Sequence, residues 1–492
     1  MNKILHTVVR SLLLCVALTA IAILAARAAR GVFSLPGIHV VVNSPFVAEG
    51  ALWLTILALL LLAREAVYDP QPVEEEIGFL AIPLIGVTIV VGVAFAFNLT
   101  DPFLSDDYII LSGPRFHWAA FLAALQRAGG DGSWRPLGTV YYQSLLAVAG
   151  ANPVLWHLAG LALHLLNCGL VFAIAWRFWG DRTSATVAAF VFGLNGTRPE
   201  AALWTAGNCD LLACACVLGS IWLAIPAPTQ PGKLRLAAAL LLVAAGVLFK
   251  ESAYAAPLIA GCLLWPYSRK FVVGASTVCA ALFAWRWHLF HGPGGYIDPT
   301  TGRPAVLSLH ALTAAKAIFI RVWSVLLVPV NWDAPSSRWL APSIALSLLG
   351  LLWVFAPRRT NPAGTRQTSF RLIGATCCAV LPAIHLALIG QSEFGSRVLY
   401  LAGAPFALWI GCNALGSRKL STLISAVMVI AMAGILENNL AAWRETAIRA
   451  EEICHTTRSG SPVPGMENGV PLFQNGFEQC VAAVQTTGIA PR

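Results

Sequence analysis

Charge is what this sequence has least of. Asp, Glu, Lys and Arg together make up 11% of its 492 residues, whereas hydrophobic residues make up 58%. A soluble domain is typically about one quarter charged. The deficit, together with repeated apolar runs of roughly 18 residues or more, excludes an ordinary soluble enzyme. It predicts an all-α, polytopic transmembrane helical bundle. Outer-membrane barrels are disfavoured because they show short alternating segments instead.

Other absences narrow the function. The net charge is +9, but no Lys/Arg tract or basic domain is present, so nucleic acid is not an expected partner. No CxxC pair occurs among the 12 cysteines. Cys214 and Cys216 lie in the middle of an apolar run, which is a poor arrangement for a zinc site that needs four spaced ligands. No internal repeat is evident.

The apolar runs are oriented by the positive-inside rule. They predict about thirteen spans, with the amino end inside and the carboxyl end outside. We divide the chain into a transmembrane region, 1–436, and an outer tail, 437–492. Two long outer regions lie at about 98–152 and 290–339. In the first, 116–126 and 136–149 are expected to lie in the membrane interface, and in the second we expect the same of 309–330.

The stretch 98–115, NLTDPFLSDDYIILSGPR, contains three acids in a chain where charge is scarce. It begins where a predicted span ends. The adjacent carboxylates Asp106 and Asp107 are therefore candidate catalytic groups at the mouth of an outer-face site. A carboxylate there can act as a general base towards an acceptor hydroxyl. It can also hold a divalent cation, Mg²⁺ or Mn²⁺, through oxygen ligands; no other cofactor is expected.

Further polar residues fall at the predicted outer ends of spans. Ionisable groups at membrane depth indicate function by default. Arg and Lys among them can bind a phosphate leaving group. The predicted substrate-binding residues from this set are Arg135, Glu200, Asn208, Asp210, Lys250, Glu251 and Arg397.

Several of these residues also have purely structural interpretations. Lys250–Glu251 can form an ion pair that caps two helix ends. Asp210 can satisfy free backbone N–H groups at a helix start, and Glu200 can favour the dipole of a first turn. Glu393 and Arg397 are four apart and can pair on a helix. Both interpretations stay open from the sequence.

Aromatic residues, histidines and two tail cysteines are further candidates. Trp118, Trp134, Trp156 and Trp204 can stack on sugar rings or anchor helices at the interface. His157 and His164 share one helix face, as ligands or as buried hydrogen-bonded side chains. Cys454 and Cys480 lie in the outer tail. In an oxidising compartment they can form a disulfide worth about 3 kcal/mol, with two free thiols as the alternative.

Five motifs in order resemble one family. They are FLSDDYII, WRPLGTVYYQSLLAVAGANPVLWHLAGLALHLLN, RPEAALWTAGNCDLLA, FKESAYAAP and GSRVLYLAGAPFAL. They are similar to motifs of the GT-C membrane glycosyltransferases, in the protein O-mannosyltransferase branch that includes the transmembrane enzymes with tetratricopeptide repeats. The chain departs from that pattern where Glu200 follows Pro199 directly and Asn208 replaces a common Arg, so Arg198 is an alternative phosphate contact.

The resemblance implies a GT-C-like fold and a hexosyltransferase. The donor would be a polyprenyl-phosphate-linked sugar, and the acceptor a lipid, glycan or protein. Asp106 or Asp107 would act as base or metal-associated acid, and Arg397 and Tyr400 of the Arg–Tyr–Leu–Tyr-type motif would join the other binding residues. The resemblance also implies catalysis on the outer side of the membrane. The excess of Arg over Lys favours a bacterium, so the expected location is the bacterial inner membrane, in contact with membrane lipids, with the site facing the periplasm or exterior. A transporter or flippase of lipid-linked sugars and a non-catalytic envelope scaffold are the alternatives.

Overall fold

The fold is an assembly of helices. A computed structural model describes residues 3–30, 45–62, 81–113, 116–126, 132–226, 232–265, 267–295, 297–298, 302–355, 366–414 and 419–458. Within these ranges the one strand-like feature is an isolated antiparallel bridge between Ile297 and Pro304. The predicted all-α class is confirmed.

Twenty α-helices, numbered here in chain order, make up most of this part of the chain. They are α1 Lys3–Arg30, α2 Phe46–Leu61, α3 Ala81–Ala96, α4 Asp107–Leu111, α5 Trp118–Gln126, α6 Pro136–Ala149, α7 Pro153–Trp179, α8 Arg182–Gly193, α9 Pro199–Ala202, α10 Asn208–Ala224, α11 Gly232–Phe249, α12 Ala256–Leu264, α13 Arg269–Phe290, α14 Ala305–Ser308, α15 Ala311–Lys316, α16 Val322–Leu327, α17 Leu340–Val354, α18 Arg366–Val380, α19 Gly403–Asn413 and α20 Lys419–Arg458.

The chain is a multi-pass membrane protein. Six of the described helical segments are long and apolar enough to cross a membrane, and four shorter apolar ones accompany them. The six are Val8–Ala29, Pro153–Trp179, Thr205–Ala224, Gly232–Phe249, Arg366–Leu386 and Leu423–Glu452. The total of thirteen spans stays a prediction.

Local sequence signals explain how α7 and α8 begin and end. The Asn152 side chain accepts a hydrogen bond from the Val154 amide at 3.0 Å, directly before a proline in the first turn of α7. Gly180 ends α7 with a φ of 61°, a conformation in which glycine carries no Cβ penalty. Asp181 then caps α8 through the Ser184 amide. A reversal of only two residues therefore packs α8 back on α7.

Segment 309–330, predicted to lie along the interface, contributes buried side chains to the bundle. It forms α15, a π-helical turn at Ala317–Arg321 and α16. Trp323 of α16 is fully buried and stacks on Trp53 of α2, with ring centroids 4.1 Å apart. Arg321 forms an ion pair with Glu49 of α2 at 2.8 Å. Its charge is thus neutralised inside the bundle by a carboxylate that is distant in sequence.

The boundary predicted at 436/437 is not an interruption of the helix. α20 runs without a break through that point. Asn438 and Asn439, just beyond it, are buried and accept hydrogen bonds from the backbone amides of Ser337 and Asn331. The first part of the predicted outer tail therefore packs on the bundle.

Candidate active site

One end of the bundle contains a cavity of about 630 Å³. Helix ends converge there: the start of α10, the ends of α11 and α13, and the segments that precede α12 and α19. The predicted site residues on its wall are Asp106, Arg135, Asp210, Lys250, Glu251 and Arg397. The structure thus gathers six residues from five separate parts of the sequence, and their roles in catalysis or binding stay predictions.

Glu251 is shared by two arginines. One carboxylate oxygen lies 2.9 Å from Nη2 of Arg135, and the other lies 3.0 Å from Nη1 of Arg286. Arg135 is held at the start of α6 by Pro136 in the first turn, and Arg286 lies one turn before the end of α13. The fork places two guanidinium groups on one carboxylate at the cavity wall.

Lys250 does not pair with its neighbour Glu251. Its Nζ contacts the carboxylate of Asp210 in the first turn of α10. The Lys250 backbone is extended, with φ −160° and ψ 147°, and adjacent side chains in an extended chain point to opposite sides. Burial lowers the pKa of Lys250 below its ordinary value, and the Asp210 carboxylate opposes this shift. The structural interpretation of Lys250–Glu251 as an ion pair that caps two helix ends is therefore wrong.

Glu200 is a buried anchor for Arg397. Its carboxylate accepts hydrogen bonds from the backbone amides of Gly395 at 3.0 Å and Arg397 at 2.8 Å, and from Nη1 of Arg397 at 2.8 Å. The Arg397 guanidinium lies 4.3 Å from the centre of the Trp204 ring. The predicted helical pair of Glu393 with Arg397 is wrong, because Glu393 has a φ of 56° and bonds Asn439 instead.

The two adjacent aspartates face different surroundings. Asp106 lines the cavity. Asp107 is 1% exposed, and its two oxygens accept hydrogen bonds from the amides of Leu104 and Ala206, each at 3.1 Å. Burial raises the pKa of Asp107 to about 8; its amide donors lower it, and the neighbouring Asp106 raises it. The geometry therefore favours Asp106 over Asp107 as a group that meets substrate.

A divalent cation at the aspartate pair stays a prediction. Both oxygens of Asp107 accept hydrogen bonds from backbone amides, which leaves this carboxylate fewer lone pairs for a cation. Among the described residues, no three of His, Cys, Asp and Glu are grouped so as to hold a metal ion. The predicted pair Cys454–Cys480 lies outside the residues whose side chains are described.

Two predicted binding residues lie behind the cavity wall. Asn208 is 1% exposed and donates to the Tyr141 hydroxyl at 3.0 Å. Tyr400 is fully buried, and its hydroxyl lies 2.7 Å from Nδ1 of His164. Arg198, the alternative phosphate contact, is fully buried as well. None of these side chains lines the cavity, so any effect on a ligand would pass through neighbouring residues.

Some cavity residues were not predicted from the sequence. Arg286 belongs to an apolar run, WRWHLF. The cavity wall also includes Tyr254 and His385. A charged residue near the end of an apolar run was the available signal for Arg286. Trp204, a candidate for sugar stacking, does lie on the wall.

The cavity joins polar and apolar surfaces. Its apolar wall includes Phe283, Trp287 and Leu307, which are 41%, 51% and 65% exposed. The polar wall presents the carboxylate of Asp106 and several cationic groups. A site of this kind can accommodate a molecule with an anionic head and an apolar tail, and it places a carboxylate beside the head.

No family model matches the chain. The chain is 32% identical over 154 residues to Protein O-mannosyl-transferase Tmtc2 of Drosophila melanogaster, over 30% of this chain and 16% of that protein. It is 31% identical over 91 residues to Protein O-mannosyl-transferase Tmtc1 of the same organism, over 18% of this chain and 11% of that protein. The chain therefore matches only a small part of these curated relatives. The resemblance that the motifs indicated is confirmed for that part.

A comparison of structures finds the crystal structure of ArnT from Cupriavidus metallidurans bound to undecaprenyl phosphate. The TM-score is 0.45 at 10% sequence identity, and the match covers 85% of this chain and 90% of that one.

Proposed function

We propose that this protein is a membrane glycosyltransferase that moves a sugar from a polyprenyl-phosphate-linked donor to a hydroxyl of a lipid, glycan or protein acceptor. One observation carries the proposal: a single cavity combines the Asp106 carboxylate, cationic groups and an exposed apolar wall. The partial similarity to proteins named O-mannosyl-transferases supports it. We place the enzyme in a bacterial inner membrane, with the cavity facing the periplasm or exterior.

The phosphate and the polyprenyl chain of the donor match the polar wall and the apolar wall of the cavity. Its phosphate would bind near Arg135 and Arg286, whose guanidinium groups flank Glu251. Arginine recognises phosphate by paired N–H donors, and burial strengthens such contacts. The polyprenyl chain would leave along Phe283 and Trp287, which are exposed on helix α13.

The reaction is a displacement at the anomeric carbon of the donor. The Asp106 carboxylate takes the proton of the acceptor hydroxyl as the acceptor oxygen bonds to that carbon. The bond from the carbon to the phosphate oxygen breaks, and the electron pair stays on the polyprenyl phosphate. Arg397 and Lys250 line the same cavity and stabilise the charge that develops on this leaving group.

The test is transfer by the purified protein in liposomes. Polyprenyl phosphate carrying a radiolabelled sugar would be supplied with membrane extract as the source of acceptors, and covalent transfer of label would be measured. Mannose is the first sugar to test, followed by other hexoses. We expect label in a product that no longer contains the carrier. Movement of intact donor across the bilayer with no covalent transfer would instead identify a flippase and refute the proposal.

A further inference from the structure

Arg198 is a buried cation without a carboxylate partner in the described part of the chain. It is 0% exposed, and its Nε donates to the carbonyl of Phe192 at 2.8 Å. Its Nη1 and Nη2 have no hydrogen-bond partner among the described residues. An uncompensated buried charge costs several kcal/mol. A residue this costly calls for a role that an apolar side chain could not perform.

Two aromatic rings enclose the guanidinium. Its carbon lies 4.5 Å from the centre of the Phe192 ring and 4.9 Å from that of Tyr400. Ring faces attract a desolvated cation. Gly403 packs directly against the guanidinium and has no side chain to displace it. A Cβ atom at position 403 would lie 2.0 Å from Nη2 of Arg198. The side chain of Arg198 is therefore held in one position by what surrounds it.

Tyr400 is itself fixed. Nε2 of His164 lies 3.1 Å from the carbonyl of Gly193, which can only accept a hydrogen bond. Nε2 must therefore carry the proton, and Nδ1 accepts from the Tyr400 hydroxyl at 2.7 Å. The ring against which Arg198 stacks thus has a defined orientation.

The Arg198–Tyr400 stack and the Glu200–Arg397 ion pair join the same two short segments of the chain. Arg198 is two residues before Glu200, and Tyr400 is three residues after Arg397. The two short segments meet twice, once through the Arg198–Tyr400 stack and once through the Glu200–Arg397 ion pair at 2.8 Å. A shift of the stack would move both members of the ion pair.

We infer that Arg198 is a positioning residue that sets the place of the Arg397 guanidinium on the cavity wall. It acts through its stack with Tyr400 and does not itself contact a ligand, because it is fully buried and does not line the cavity. This inference rests on the proposed function, in which Arg397 stabilises the leaving phosphate.

Two glycines of α19 offer a matched test. Gly403→Ala would place a Cβ against the Arg198 guanidinium and displace it. Gly411→Ala, two turns further along the same helix, would place a Cβ 2.7 Å from Ala188 Cβ and 2.7 Å from the Ser184 carbonyl, away from Arg198. Both variants crowd a helix interface, so a general loss of packing should affect both.

The first readout is hydrogen exchange of the Gly395 and Arg397 amides, which donate to Glu200. We expect exchange there to accelerate at least about tenfold in Gly403→Ala, the change for about 1.4 kcal/mol of lost protection. It should stay at the wild-type rate in Gly411→Ala. Equal acceleration in the two variants, or none in Gly403→Ala, would overturn the inference.

The second readout is sugar transfer. We expect kcat/KM for the donor to fall about tenfold in Gly403→Ala beyond any fall in Gly411→Ala, a coupling typical of residues in one contact network. Faster exchange at Arg397 with unchanged kcat/KM would refute a positioning role in transfer. If the wild-type protein transfers no sugar, the proposed function fails, and the exchange rates alone then decide whether Arg198 positions Arg397.

Discussion

Arg286 connects the cavity to the loops beside it, and Arg286→Met is the substitution that tests this connection. The guanidinium forms the 3.0 Å ion pair with Glu251. It also donates to the carbonyl of Pro293 at 2.9 Å and to that of Gly132 at 3.2 Å. Methionine fills much of the same space but can make none of these contacts. Gly132 and Pro293 both line the cavity.

The size of the effect follows from these contacts. Breaking a buried ion pair typically costs about 3–5 kcal/mol. Here Glu251 keeps Arg135 as a partner, so the lower end applies, and we expect a loss of about 3 kcal/mol. An unfolding entropy of about 2 cal/mol/K per residue sums to about 1 kcal/mol/K for a chain of this length. The expected fall in Tm is therefore about 3 °C. Losing one of two phosphate-binding arginines should also raise the donor KM about tenfold or more.

The assay has three parts and a control. Thermal unfolding in detergent gives Tm, donor titration gives KM, and hydrogen exchange reports the Gly295 amide, which donates to the Gly132 carbonyl at 2.9 Å. Arg286→Lys should have a donor KM between those of wild type and Arg286→Met. It should not restore the protection of the Gly295 amide from hydrogen exchange, because an ammonium cannot bridge the same three acceptors. Arg338→Met, at an exposed arginine outside the cavity, should change none of these values. A wild-type Tm and wild-type Gly295 exchange in Arg286→Met would refute this reasoning.

Three further predictions concern the cavity's surroundings. Asp107→Asn should destabilise the protein by about 1–3 kcal/mol, because an amide nitrogen cannot accept the hydrogen bond that one carboxyl oxygen now accepts; an unchanged Tm would contradict this. The pKa of Asp107 is raised to about 8 in the folded protein, above the ordinary value near 4 of an unfolded chain. Between these pH values the folded state keeps a proton that the unfolded state has lost, so wild-type stability should fall as pH rises. The Tm of wild type relative to that of Asp107→Asn should therefore fall from pH 5 to pH 8, and a relative rise would refute the shift. Gly160→Ala should lower Tm because its Cβ would lie 2.4 Å from the Ala202 carbonyl, whereas Gly169→Ala on the same helix meets its nearest atom at 3.7 Å and should be neutral or stabilising; equal Tm values for the two would show that α7 does not pack closely there.

Hydropathy predicted much of the helical framework. The predicted interface segments 116–126 and 136–149 contain α5 and α6. Such segments follow from local signals, namely apolar length, capping residues and helix-breaking glycine. The buried part of segment 309–330 was not predictable, because the charge of Arg321 is neutralised by Glu49, about 270 positions away. Hydropathy cannot reveal a partner at that separation.

The candidate site, like the fold, was predictable only in part: some of its residues could be found from the sequence, but their contacts could not. Charge scarcity directed attention to Lys250–Glu251 and to the acids near position 106, and Lys250, Glu251 and Asp106 do line one cavity. Their partners were not predictable, because an extended backbone at Lys250 turns the two side chains apart, towards Asp210 and towards Arg135. Asp106 and Asp107 could not be distinguished from sequence. The distinction depends on which carboxylate the amides of Leu104 and Ala206 reach.

The most direct test of the account is the rate of sugar transfer by Asp106→Asn in a single turnover with saturating donor. Asp333→Asn is the matched control, since Asp333 is an exposed aspartate that does not line the cavity. If Asp106 is the general base, its substitution should slow transfer by about 10²–10⁴-fold while donor affinity and Tm stay near those of the control. Transfer by Asp106→Asn at the rate of Asp333→Asn would contradict the assignment of the base.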